Sequence, residues 1–137
     1  MKRLLLLPLL LMSSKCAPTP YQAKDTTVVD FPVDGDCESW RPLFDLVGLP
    51  YDKFQPIMWR ESRCTNVHTY SKRYRDDSYG PLQVNRWSTA KGWDNLGYTQ
   101  EVMATPVGAL QAAKVLYDRC GMGPWTKPYR CPGGWPL

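Results

Sequence analysis

Phe54, Ile57, Met58 and Glu61 recur at the spacings that stack side chains on one face of an α-helix, so an acid continues a stripe that is otherwise apolar. Burying a charge in such a stripe is costly unless the group is paired or takes up a proton. A carboxylic acid that keeps its proton near neutral pH is what general-acid cleavage of a glycosidic bond requires. The structural alternative for Glu61 is a buried ion pair with Arg60, Arg63 or Arg86.

The elements that must carry this acid follow from caps and periodicity. Asp52 can cap the Glu61 helix with Gln55 three positions later, and Pro56 falls within the first turn, where a missing N–H costs least. The helix should run to Ser62 or Cys64 and deliver Glu61 beside an irregular segment. Before it, Trp40, Leu43, Phe44 and Val47 predict an amphipathic helix stopped by Gly48 and the Leu49-Pro50 pair. Thr65 to Asp77 is polar and aromatic without sustained periodicity, which predicts a loop or a small β-hairpin of the kind that often lines sites. Ser78 to Asn85 reads as a short strand or extended turn, with Gly80 permitting a close backbone approach. Thr105-Pro106 starts a late helix and Gly121 stops it, with Leu110, Ala113, Leu116, Tyr117 and Cys120 facing inward. The expected class is α+β, mostly α-helical, with a small β-hairpin or irregular β element.

A chain of 137 residues supports one compact domain, and six Trp with eight Tyr suit a small aromatic-rich fold or a sugar-binding cleft. Lys2 and Arg3 followed by apolar Leu4 to Met12 read as an export signal, placed at residues 1–17, whose apolar run is too short to span a bilayer. Cys16 as a lipidated residue is the alternative at its end. Residues 18–36, rich in Pro, Thr and Asp, read as a linker, so the folded domain is placed at 37–137. Without Lys2, Arg3 and Lys15 the net charge falls from +4 to +1, so most of the basicity belongs to the signal. Lys72, Arg73 and Arg75 form a basic cluster that could meet a polyanion such as a cell-wall polymer or stand as a solvated loop; no nucleic-acid-binding motif accompanies it. Cys37, Cys64, Cys120 and Cys131 remain after removal of the signal, an even number that predicts two disulfides in an exported chain. Of three possible pairings, Cys37 with Cys64 and Cys120 with Cys131 are favoured, tying the start of the domain to the Glu61 helix and the tail to the late helix. Zinc is disfavoured, since there is no paired CxxC and His68 is the single histidine, and no metal or other cofactor is expected.

Three segments in order resemble the lysozyme-like superfamily, specifically soluble lytic transglycosylase and goose-type lysozyme domains. Arg60-Glu61-Ser62 resembles the Glu-Ser motif at a helix end. Ser78-Tyr79-Gly80-Pro81-Leu82-Gln83 resembles the Ser-x-Gly-Leu-x-Gln segment, with Pro81 standing where Leu is usual. Ala112-Ala113-Lys114-Val115-Leu116-Tyr117 followed by Gly123-Pro124-Trp125 is similar to the late helix and Gly-x-x-Pro-Trp ending of small secreted or phage-borne members, although the Ala-Tyr-Asn signature of many transglycosylases is absent. Together they cover about Cys37 to Trp125.

The resemblance implies a lysozyme-like fold and cleavage of the β-1,4 bond between N-acetylmuramic acid and N-acetylglucosamine in peptidoglycan; with the export signal, the expectation is a monomer that is secreted or held at the cell envelope, of bacterial or phage origin. Glu61 would be the general acid and then the base. In a transglycosylase it would take the proton of the substrate's own hydroxymethyl group; in a hydrolase a second carboxylate would hold water, with Asp77 the first candidate and Asp76 the next. Ser78, Gln83, Tyr117 and Trp125 are implied to contact substrate. As structural alternatives, Ser78 caps a turn, Gln83 satisfies buried backbone and Tyr117 packs. Ser62 could bond the preceding helical turn instead, and Trp59, Trp87 and Trp93 could stack on sugars or fill the core. The rival function is a noncatalytic glycan-binding or structural module; a small disulfide-stapled inhibitor or toxin would explain the cysteines but not the order of the three segments.

Overall fold

The computed structural model describes residues 31–86 and 92–131; the export signal, Cys16 and Trp87 lie outside the described residues. A 3₁₀ turn at Glu38–Trp40 leads into α1 (Arg41–Val47), which ends where Gly48 takes a left-handed φ of 74°. Helix α2 (Tyr51–Ser62) carries Glu61 in its last turn and stops at Arg63 with φ 56°. Asp52 does not cap it: Pro50 holds that place without a side-chain bond, and the Asp52 carboxylate instead meets Arg41 Nη1 at 3.2 Å.

The segment expected to be a loop or hairpin is a hairpin of β1 (His68–Ser71) and β2 (Asp76–Tyr79), and β3 (Val84–Asn85) adds to β2, giving a three-stranded antiparallel sheet in the order β1-β2-β3. Its register pairs His68 with Tyr79, Thr69 with Ser78 and Ser78 with Asn85. A short α3 (Gln100–Met103), unforeseen in the sequence, starts at Thr99, whose side chain accepts from Val102 N. Then α4 (Pro106–Cys120) runs between the expected signals: Thr105 accepts from Gly108 N, and Gly121 ends the helix. A 3₁₀ turn at Gly123–Trp125 follows. The chain is therefore α+β and mostly helical, with a small antiparallel sheet.

The core draws on every helix and on the sheet. Trp40 and Phe44, Phe54 and Met58, Leu82, Met103 and Leu110 are all fully buried. Phe54 is its centre, meeting Phe44, Tyr117 and Trp125 at ring distances of 6.2, 5.3 and 4.9 Å. Helix α4 reaches the sheet through Gly80, where an added Cβ would stand 2.3 Å from that of Ala109 and where φ is +78°. Both favoured disulfides are present, Cys37–Cys64 with Cα atoms 5.0 Å apart and Cys120–Cys131 with Cα atoms 4.3 Å apart. Hydrogen bonds from the chain already begin before Cys37: Gly35 N donates to Cys64 O and Asn66 N to Asp34 Oδ1. Among the described residues no helix is long and apolar enough to cross a membrane.

Candidate functional site

The stripe on α2 behaves as expected for three of its four members. Phe54, Ile57 and Met58 are buried, but Glu61 is not: its side chain keeps 31% exposure, because by the last turn the stripe has run out from under the core. The acid is paired with its neighbour Arg60, whose Nε and Nη2 donate to Glu61 Oε1 at 3.0 and 2.6 Å. Both contacts fall on Oε1. The same Nη2 donates to the Trp125 carbonyl at 2.8 Å, so one guanidinium joins the acid to the C-terminal turn.

Glu61 opens onto a groove of two adjoining lobes, of about 140 and about 560 Å³. Glu61, Trp125 and Tyr129 line both; Gln83, Asn85 and Leu116 are among the walls of the first, and Arg60 and Lys127 of the second. Taken together they fall in the size range of small-ligand clefts, roughly 300–1,000 Å³. Amide side chains beside aromatic rings and one carboxylate suit a polyhydroxylated ligand, which offers hydroxyls at its edge and C–H bonds on its faces.

The loop between β2 and β3 forms the wall facing Glu61, and it is held from three sides. Ser62 Oγ donates to Pro81 O at 2.9 Å and Trp125 Nε1 donates to Leu82 O at 3.0 Å. Gln83, at a positive φ of 49°, donates through Nε2 to Val67 O and Gly80 O. Gln83 therefore satisfies buried backbone, as its structural alternative had it, while still lining the groove. Ser62 also bonds the preceding turn at Met58 O, so the helix end and the loop share one hydroxyl.

Strand alternation separates the two aspartates. Asp77 lies with His68 and Tyr79 on the inner face of the sheet, where it is buried, 2.8 Å from His68 Nε2 and 3.6 Å from Arg86 Nη1. Its carbonyl accepts from Trp93 Nε1. Neither Asp77 nor Asp76 lines the groove, and Asp77 braces the sheet. Asp76 and Ser78 lie on the other face with Asn85. Ser78 Oγ and Asn85 Nδ2 both donate to Asp76 Oδ1, at 2.5 and 2.9 Å, and Asn85 Nδ2 also reaches Ser78 Oγ at 3.1 Å. Ser78 is buried and touches the groove only through Asn85.

Of the other expected contacts, Trp125 lines the groove but is itself mostly buried, edge-on to Phe54. Tyr117 is not at the groove; it packs edge-on against Phe54, as its position on the inward face of α4 requires. Trp93 is core, stacked edge-on to Tyr79, while Trp59 is 49% exposed and carries the Arg63 guanidinium over its ring. Asn85 and Tyr129 are the site residues that the sequence reading did not single out, while Arg60 is one of the three ion-pair partners it offered for Glu61, met here in a pair that is not buried. Asn85 lies in the short strand that follows the turn at Gln83, a tertiary pairing that the sequence does not display. Tyr129 carries no sequence signal either, as it reaches the groove by the turn that Cys120–Cys131 and the Arg60–Trp125 bond hold in place. No protein-family model, curated protein or solved structure matches this chain.

Proposed function

We propose that the protein is a peptidoglycan-cleaving glycosidase of the lysozyme-like kind, exported to the cell envelope or beyond it, with Glu61 as the acid that protonates the glycosidic oxygen. The observation that carries this reading is a carboxylate held by Arg60 through one oxygen and lining a groove whose walls mix amides and aromatic rings. The order of Arg60-Glu61-Ser62, Ser78 to Gln83 and Gly123-Pro124-Trp125 along the chain supports the substrate: a glycan strand with alternating N-acetylmuramic acid and N-acetylglucosamine.

Arg60 takes Glu61 Oε1, so proton delivery runs through Oε2. The C1–O bond breaks as its electron pair moves to the leaving oxygen and the proton from Oε2 bonds to it. Asn85, Gln83 and Tyr129 offer hydrogen bonds that hold the flanking sugars, and Trp125 gives them an apolar floor. Purified protein should clear a peptidoglycan suspension, and Glu61→Gln, which keeps shape but cannot cycle a proton, should lower the rate by about 1,000-fold. Equal clearing by both proteins would reject the catalytic assignment. Retention of peptidoglycan by both, with clearing by neither, would favour the noncatalytic glycan-binding module.

A further inference from the structure

We infer that the tip of the β1–β2 hairpin, through Lys72, Arg73 and Arg75, is a substrate-selecting surface that binds the carboxylates of the peptide stems carried by the glycan strand. This rests on the reading of the groove as a peptidoglycan site and goes beyond it by assigning a second part of that substrate to a second part of the chain.

The turn at 72–75 is exposed throughout and holds three cations. After Lys15 the chain has fourteen Lys and Arg against thirteen Asp and Glu; without the three in this turn it would have eleven, so the remainder is net negative and the positive charge is gathered in one place. Arg41, Arg60, Arg86 and Lys114 each meet an acid within the chain, whereas among the described residues none of Lys72, Arg73 and Arg75 does. Arg73 instead lies over the ring of Tyr74, 5.4 Å from its centre, and Tyr74 is 73% exposed. The turn itself does not call for these side chains. It is closed by Arg75 N donating to Lys72 O and Tyr74 N to Ser71 Oγ, bonds that do not depend on what stands at 72, 73 or 75. Arg75 has a φ of 51°, a left-handed conformation that glycine or asparagine takes at less cost. Three like charges within one turn repel one another, so the cluster costs the fold unless an anion from outside meets it.

The turn adjoins the groove. Asn85, on a wall of the lobe that Glu61 also lines, donates through Nδ2 to Arg75 O at 3.4 Å and to Asp76 Oδ1 at 2.9 Å. A glycan strand laid along Glu61 and Asn85 therefore brings what hangs from its sugars beside the turn. On peptidoglycan that is a peptide stem on N-acetylmuramic acid, and because the lactyl carboxyl is taken up in the amide bond to the stem, the free carboxylates are those of the stem itself. Arginine forks match a carboxylate in geometry, and Lys72 adds a mobile third charge. A bilayer of anionic lipid would call for apolar side chains beside the cations, and residues 71–75 include no aliphatic one. Exposed ion pairs are weak singly and count only when several form together, which suits selection of a strand rather than permanent anchoring.

The test compares three preparations of purified sacculi in co-sedimentation on ice and in clearing assays: untreated, freed of phosphodiester-linked polymers by hydrofluoric acid, and so freed with the carboxylates then capped as methylamides. Wild-type protein should bind the acid-treated wall as it binds the untreated one, and about tenfold more tightly than the capped wall, the joint effect of three exposed pairs. The triple variant Lys72→Gln, Arg73→Gln, Arg75→Asn should keep its thermal transition, bind capped and uncapped wall alike, and clear uncapped wall with a raised KM and an unchanged kcat. A wild-type protein without preference, or a folded triple variant that retains it, would overturn the inference. Should the variant fail to fold, salt gives the second reading: the wild-type preference should shrink as salt rises from about 20 to about 300 mM, and a preference indifferent to salt would count against the tip. Binding lost with the phosphodiester polymers and untouched by capping would transfer the tip to a phosphate polymer, and tip-dependent binding to phosphatidylglycerol vesicles without preference among the walls would transfer it to lipid; either overturns the inference. Tip-dependent binding to uncapped wall by a protein that clears none of it would reject the glycosidase reading and leave the tip's role standing.

Discussion

The two faces of the small sheet carry one aspartate each, adjacent in sequence and opposite in circumstance. Asp77 is enclosed with His68, Tyr79 and Trp93, its carboxylate spent on a histidine and an arginine. Asp76, one residue earlier, is only partly buried and bonded to two small neutral donors beside a groove. The difference teaches that a strand 4 residues long can give two neighbouring aspartates opposite surroundings by its period of two. The inner face holds the sheet against the core; the outer face meets the groove through Asn85.

The strongest way to break that separation is to move both faces together. Gly80 links β2 to α4 at a left-handed φ, and a methyl there would collide with Ala109. Gly80→Ala should cost roughly 3 kcal/mol, combining the left-handed penalty with overpacking. Urea unfolding followed by tryptophan fluorescence would read the loss, and clearing activity should fall with it, because the Gly80 carbonyl also anchors Gln83. A variant as stable as wild type would show that the sheet does not depend on this contact.

A sharper test acts on the inner face alone. Asp77→Ala removes the carboxylate from His68 and Arg86 and should destabilise by about 2 kcal/mol, the scale of a hydrogen bond to a charged group lost in a buried setting. Clearing activity per folded molecule should be nearly unchanged, because Asp77 lines neither lobe of the groove. If Asp77→Ala instead abolished cleavage while leaving the unfolding midpoint in place, the division between the faces would be wrong.

Much of the scaffold was legible because its signals are local. Thr105 and Gly121 bracket α4 by a cap and a helix stop, Gly48 ends α1, and the cysteines pair as their positions suggested. What was not legible depended on tertiary partners. Asp52 has the type of a cap but meets Arg41, and α3 is four residues long, too short to show a period. Glu61 had the right spacing for burial, yet periodicity fixes only a direction around a helix and not how far along it the core extends. Which of Asp76 and Asp77 is buried was closer to hand than it looked. Tyr79 shares a face with Asp77 under strand alternation, and a large aromatic ring beside Gly80 marks the inner face, so Asp76 follows as the outward acid.

The smallest expected effect reads the inner face through its tyrosine. Burial, and then the nearby negative charge of Asp77, raise the Tyr79 phenol above its ordinary value of 10.0. The folded state therefore favours the protonated phenol more than the unfolded state does. Its contribution is complete below the unfolded value and is lost as pH rises through the folded one. Tyr51, at the far end of α2, is pushed up to about 12 by burial and its bond to Glu38, and adds a slope of the same sign. Stability measured by urea unfolding should accordingly fall from pH 10 upward, and Tyr79→Phe, with no phenol to ionise, should make that fall shallower without removing it. In the Asp77→Ala background the same substitution should change the slope less, since one cause of the shift is gone. An alkaline slope that Tyr79→Phe leaves untouched would mean that the ring ionises as freely in the folded chain as in the unfolded one, and that the inner face is open to water.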